Sequence, residues 1–94
     1  MRLEPDVAGR IADRLAGLYV RPFGGKPDGR YRISSKLMRQ LAGRRRLYED
    51  DIRDIGRTLL ERGFVLVDMD AYFVVLSTAT FTNYRRANEQ SIDD

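Results

Sequence analysis

Two short apolar runs near the end of the chain constrain its fold more than any other feature. Residues 64–67 and 72–76 are dense in β-branched and aromatic side chains, and only residues 68–71 separate them. They predict a tight β-hairpin, because such residues favour strands and so short a connection forms a turn. Side chains alternate between the two faces of a strand, so both faces of this hairpin are apolar.

The N-terminal part of the chain predicts an amphipathic helix followed by a loop. Pro5 is tolerated at a first helical position, and the acids beside it complement the helix dipole. Apolar side chains then recur every three or four residues and form one buried face: Val7, Ile11, Leu15 and Leu18. Residues 22–29 contain three Gly and two Pro, which predicts a loop.

A short strand and a second helix follow. Residues 30–33 alternate polar and apolar side chains, which predicts the strand. Ser34 is a good N-cap, and Ile33 and Met38 occupy the two positions of a hydrophobic staple. The helix is predicted to end at Gly43, with Lys36 and Arg39 facing outward. Four of its side chains are predicted to be buried: Leu37, Met38, Leu41 and Ala42.

A third helix is predicted from about residue 48 to residue 62. Its apolar residues have helical spacing, and three acids in its first turn complement the dipole. Gly63 ends it, and the hairpin follows. Residues 78–86 favour a short helix capped by Ser77 or Thr78, and we expect a frayed acidic tail over residues 88–94. The length suits a single domain, residues 1–87.

Composition excludes several kinds of site. The sequence has no Cys and no His, so it lacks disulfides, thiolate metal ligands, and the commonest general base and zinc ligand. No apolar run reaches the roughly 18 residues of a membrane span, and the first residues do not match a signal or transit peptide. We therefore expect a cytoplasmic protein that is not an enzyme and holds neither a metal ion nor another cofactor.

Charge is distributed unevenly along the chain. Residues 29–48 carry seven cations and no acid, whereas residues 49–70 carry three cations and seven acids. Fifteen of the 17 cations are Arg, which pairs bidentately with phosphate and guanine; a GC-rich genome produces the same excess, and composition does not separate the two explanations. The basic segment is either a phosphate-binding edge or a solvated face, and the absence of acids favours nucleic acid.

The order helix, strand, helix, helix, hairpin resembles that of winged helix-turn-helix domains. Residues 52–67, IRDIGRTLLERGFVLV, look like a recognition helix that runs through Gly63 into the first strand of the wing. The resemblance covers residues 5–77 and is one of topology and spacing. It implies an α+β domain that binds double-stranded DNA with its third helix in the major groove, although some domains of this fold bind only proteins.

On this resemblance, the DNA contacts are assigned to seven cations on helix 2, on the turn after it and on helix 3: Lys36, Arg39, Arg44, Arg45, Arg46, Arg53 and Arg57. Residues 84–86, Tyr-Arg-Arg, are a secondary candidate for a phosphate or minor-groove contact.

Acids on helix 3 and at the wing tip depart from the DNA-binding pattern, because they repel phosphates. A rotation of about 100° per residue from Ile52, Ile55 and Leu59 places Arg53 at the flank of the outward face of helix 3. The residues predicted on that face are Asp50, Asp54, Arg57, Thr58 and Glu61. Asp68 and Asp70 at the wing tip are better explained as charges that prevent strand-edge pairing than as metal ligands.

Two functions follow from these patterns. The first is a small DNA-binding transcriptional regulator, a repressor or an architectural factor, that occupies an operator as a homodimer. A dimer is expected because one small module needs two half-sites for specificity and because the helices cover only one apolar face of the hairpin. The second is a winged-helix protein-interaction module, for example an anti-activator, that binds a basic partner through the acidic face of helix 3.

Overall fold

The computed structural model describes residues 3–93; residues 1 and 2 of the predicted domain and residue 94 of the predicted tail lie outside the described part. Within that part the chain is an α+β fold with three α-helices and one three-stranded antiparallel sheet. The elements are α1 (Pro5–Tyr19), β1 (Tyr31–Ser34), α2 (Ser35–Ala42), α3 (Glu49–Glu61), β2 (Phe64–Asp68) and β3 (Tyr72–Ser77). Their order is the one that the sequence predicts.

The three strands pair in the order β1-β3-β2, so β3 is the central strand. The hairpin partners include Leu66 with Val75, and β1 adds to the other edge of β3 with Ile33 opposite Phe73. Alternation then gives the sheet two different faces. The face toward the helices contains the buried side chains of Ile33, Phe73 and Val75.

The core lies between this sheet face and the three helices. Side chains with no exposed surface come from every helix and from the central strand: Leu15, Met38, Ile55, Leu59 and Val75. Burial raises the pKa of the Tyr31 phenol, and its hydroxyl donates a hydrogen bond to the carbonyl of Leu15 at 2.6 Å. β1 is therefore joined to α1 by a polar contact as well as by packing.

The predicted cap of α2 is confirmed. The hydroxyl of Ser34 accepts a hydrogen bond from the backbone N–H of Leu37 at 3.1 Å, and Gly43 ends the helix in the left-handed conformation with φ 69°. Ile33 and Met38, the two residues of the predicted staple, are both buried. Both side chains therefore belong to the core.

Two predictions for the side chains of α2 are wrong. Leu37 is 53% exposed rather than buried, because it lies about 100° around the helix from Met38, and Met38 is the residue that faces the core. Arg39, predicted to face outward, is half-buried near the hairpin turn. Apolar spacing in so short a helix leaves its orientation open by about one residue, and packing against the sheet decides it.

The hairpin turn is bound to the start of α2. Ser35 donates twice to this turn: its backbone N–H to the carbonyl of Ala71 at 3.0 Å, and its hydroxyl to the carbonyl of Asp70 at 2.8 Å. Within the turn, a carboxylate oxygen of Asp68 accepts from the N–H of Asp70 at 2.9 Å, and Asp70 has a φ of 71°. The hairpin turn is therefore fixed to the helical part of the molecule.

The segment after β3 is less helical than predicted. Ser77 caps it, since its hydroxyl accepts from the N–H of Ala79 at 3.2 Å, but the helix is a single 3₁₀ turn over Thr78–Phe81. A second 3₁₀ turn, Gln90–Ile92, lies within the predicted tail. All described residues from 81 onward are exposed, so this segment lacks the packing that would extend a helix.

The buried methionine of α2 and its exposed neighbour provide a paired test of this packing. Met38→Ala should lower the free energy of unfolding by about 2–5 kcal/mol, because it leaves a cavity in the core. Leu37→Ala is the matched control on the same helix and should change it by less than about 0.5 kcal/mol. Urea denaturation followed by circular dichroism measures both. Equal losses in the two variants would contradict the observed orientation of α2.

Candidate functional site

The predicted DNA-contacting cations lie on α2, on the loop after it and on α3. Six of the seven are exposed: Lys36, Arg44, Arg45, Arg46, Arg53 and Arg57. The seventh, Arg39, is half-buried. The loop leads directly into α3, so its three arginines stand beside the N-terminal end of the helix that carries Arg53 and Arg57.

The loop between α2 and α3 is anchored at both ends. At its start, the N–H of Arg44 donates to the carbonyl of Arg39 at 3.0 Å, which closes the end of α2 behind Gly43. Near its end, Leu47 packs against the core. The arginines at positions 44–46 are therefore presented from a short segment whose ends are fixed.

The first turn of α3 buries a carboxylate that the sequence analysis counted only as a dipole partner. Asp51 is 3% exposed, and one of its carboxylate oxygens accepts the backbone N–H of Tyr48 at 2.8 Å. This contact satisfies a donor that the start of the helix would otherwise leave open. Asp51, Ile55 and Leu59 thus form the buried side of α3.

Because Asp51 is buried, the outward face of α3 lies about 30° around the helix axis from the predicted face. Arg53 is therefore near the middle of this face with Arg57, one turn further along, and not at its flank. Thr58 and Asp54, predicted to face outward, are half-buried, and the hydroxyl of Thr58 donates to the carbonyl of Asp54 at 2.8 Å. Leu60, which the prediction did not include, is 54% exposed.

An ion pair reduces the charge of this face. A guanidinium nitrogen of Arg53 lies 3.5 Å from a carboxylate oxygen of Asp50, three residues earlier on the helix. Both side chains are more than half exposed, so the pair contributes little to stability and salt screens it. Arg53 can exchange this carboxylate for a phosphate or a guanine edge at small cost.

Arg39 lies near the hairpin turn. It lines a cleft of about 270 Å³ between α2, α3 and the hairpin turn, and Asp68 and Asp70 line the same cleft. The acids at the tip and Arg39 therefore offset part of one another's charge. Among residues 3–93 no group of three or more acids is arranged to hold a metal ion.

Sequence reasoning missed two cations of α1 that belong to the same basic surface. Arg10 and Arg14 line a cleft together with Arg44, and a guanidinium nitrogen of Arg14 donates to the carbonyl of Leu41 at 3.0 Å. The sequence placed both outside the apolar stripe of the first helix, but it gave no signal that this side of α1 meets the end of α2.

The secondary candidate, residues 84–86, lies on the exposed C-terminal segment. Tyr84 is 62% exposed and packs edge-on against Phe81 with 5.2 Å between ring centroids. Arg85 and Arg86 are exposed and line a cleft of about 530 Å³ with Tyr84 and Ser91. This segment follows the sheet and is separate in sequence from the basic loop.

Comparison with known proteins indicates no function, so a function has to be inferred from the geometry of the chain. No family model, curated protein or solved structure matches this sequence. Within the described residues, no helix combines the length and the apolar character needed to cross a bilayer.

Proposed function

We propose that this protein is a winged-helix DNA-binding regulator that occupies duplex DNA as a homodimer. The observation that carries the proposal is the placement of an exposed arginine loop directly before a helix whose outward face presents Arg53 and Arg57. The strand order β1-β3-β2 and the helix-loop-helix of α2 and α3 support it, because they fit the topology of winged helix-turn-helix domains.

In the proposed complex, α3 enters the major groove and its two arginines read base edges. Arg53 and Arg57 lie one turn apart, and each has a guanidinium able to pair bidentately with guanine. The loop arginines bind backbone phosphates and fix the position of the helix on the duplex. The regulator acts by occupancy: a bound dimer excludes other proteins from the site or shapes the DNA there.

The outer face of the sheet supports the homodimer. It carries four aliphatic side chains, paired across β2 and β3 and absent from the packed core: Val65, Val67, Val74 and Leu76. An apolar sheet face of this kind usually marks an interface. A second copy seated on it would give the two-fold repetition that reading two half-sites requires.

Leu60 favours a second candidate function, a protein-interaction module. This side chain is 54% exposed on the outward face of α3, next to the exposed carboxylate of Glu61. An exposed apolar side chain beside a carboxylate suits a basic protein partner better than a phosphate backbone. In this case α3 would bind the partner, for example an activator that the protein inhibits.

Removal of the loop arginines should abolish tight DNA binding. Replacement of the three loop arginines, Arg44, Arg45 and Arg46, by Ala should lower the slope of log affinity against log salt. The expected decrease corresponds to about two to three phosphate contacts. Fluorescence anisotropy with duplexes enriched from a random pool, at several salt concentrations, measures this slope. The fold should survive, since all three side chains are exposed.

The control replaces two exposed cations of the loop after α1, Arg21 and Lys26, with Ala. It removes positive charge outside the basic segment and should keep most of the slope. An unchanged slope in the Arg44–46 variant would contradict the phosphate contacts. If the wild-type protein showed no salt-dependent binding to any duplex, the DNA-binding proposal itself would be wrong.

Arg57→Ala should relax the sequence preference of binding as well as weaken it. A bidentate contact to guanine discriminates by about 1–3 kcal/mol, so one position of the selected site should lose its preference. Sequencing of duplexes selected by the wild type and the variant measures this, with Arg21→Ala as a control from the loop after α1. A uniform loss over all sequences would make Arg57 a phosphate contact instead.

The protein should sediment as a dimer of the 10.9 kDa chain. Val74→Asp should produce monomers, because it places a charge on the outer sheet face, which we propose to be the interface. Phe73 is unsuitable for this test because its side chain is 5% exposed and belongs to the core. Sedimentation equilibrium at micromolar concentration decides the matter. A wild-type mass equal to one chain would refute the dimer, and dissociation by Phe81→Asp alone would move the interface to the C-terminal segment.

A further inference from the structure

A cleft between α1 and the C-terminal end of α2 brings together three arginines from two segments that are distant in sequence. Arg10 and Arg14 lie one turn apart on α1, and Arg44 follows the cap of α2. The cleft has a volume of about 460 Å³, and no acidic residue lines it. Three like charges are therefore gathered around one concave surface.

None of these three guanidinium groups forms an ion pair within residues 3–93, whereas Arg53 and Arg62 each pair with a carboxylate. The carbonyl end of α2 supplies partial compensation, equivalent to roughly half a negative charge. Arg14 uses this end directly through its hydrogen bond to the carbonyl of Leu41. That compensation is smaller than the three positive charges, so the cleft remains strongly cationic.

The contact to Leu41 also orients the donors of Arg14. It occupies one guanidinium nitrogen and holds the side chain across the cleft, while the other nitrogens of this fork keep N–H groups available. Ile11 is buried at the base of the cleft. A partly apolar base lowers the local dielectric, which strengthens attraction between a guanidinium and an anion.

We infer that this cleft binds a phosphate group, as a monoester or a diester, held by Arg10, Arg14 and Arg44. Planar guanidinium forks match the oxygens of a phosphate bidentately, and one phosphate offers acceptors to all three. The source of the phosphate rests on the proposed function: Arg44 belongs to the loop that contacts DNA, so the backbone of the same duplex extends to α1.

Titration of the full chain with inorganic phosphate tests the cleft without DNA. In ¹H–¹⁵N correlation spectra, we expect saturable shifts of the amides of Gly43 and Arg44 and of the Nε–H signals of Arg10 and Arg14. Arg10→Ala should weaken this binding at least tenfold, and it leaves the tether between Arg14 and Leu41 in place. Arg21→Ala removes one exposed cation elsewhere and should leave the titration unchanged.

A second arm measures duplex binding at several salt concentrations. The variant with Arg10 and Arg14 replaced by Ala should lower the salt slope by about two contacts, and thermal unfolding shows whether it remains folded. If it fails to fold, Arg10→Ala alone should lower the slope by about one.

The two arms separate failure of the inference from failure of the proposed function. The inference would be overturned if the α1 variants kept the salt-dependent duplex binding of the wild type and phosphate caused no saturable shift. The DNA-binding proposal would then remain supported. Phosphate shifts that depend on Arg10, in a protein that retains no duplex, would support the cleft and assign it to a small phosphorylated ligand. Saturable shifts of equal size in wild type and Arg10→Ala would also overturn the inference, because phosphate would then bind without Arg10.

Discussion

Burial of one face of the central strand holds the whole molecule together. In the described part of the chain, β3 alone has a hydrogen-bonded neighbour on both edges, and its Val75 side chain has no exposed surface. Leu15 and Ile55 bring α1 and α3 to the same core. Removal of this apolar surface from water is the main favourable term that orders the helices. Because α2 follows one outer strand directly and α3 leads into the other, the sheet also fixes the separation of these two helices.

The packing of α2 and α3 against the sheet sets the position of the loop between them. Its ends are held by Gly43 and Leu47, so the arginines between them project from a fixed base and cannot join the core. Two of the acids that count against DNA binding have local partners. Asp50 pairs with Arg53, and Asp68 accepts a backbone N–H within the hairpin turn. The repulsion they exert on a phosphate backbone is therefore weaker than their formal charges imply.

Local patterns predicted most of the secondary structure correctly. The Ser34 cap, the helix end at Gly43 and the hairpin of residues 64–67 and 72–76 depend on neighbouring residues alone, and all are confirmed. Errors arose where an orientation depended on a distant contact. Leu37 and Met38 have similar apolar character, and only the position of the sheet distinguishes the exposed residue from the buried one. The face of α3 was misplaced because a carboxylate, Asp51, occupies a buried position that periodicity reserves for apolar residues.

The sequence alone was sufficient to locate the three helices and the three strands, the cap of α2, and the concentration of positive charge over residues 29–48. Hydrophobic period, turn residues and charge order are local properties, so they can be read along the chain. The tertiary structure was needed to show that Arg10 and Arg14 share a cleft with Arg44, and that Arg39 shares one with the hairpin turn. These contacts depend on how the helices pack across the sheet, because the residues that meet are brought together by the shared core and not by their spacing in sequence.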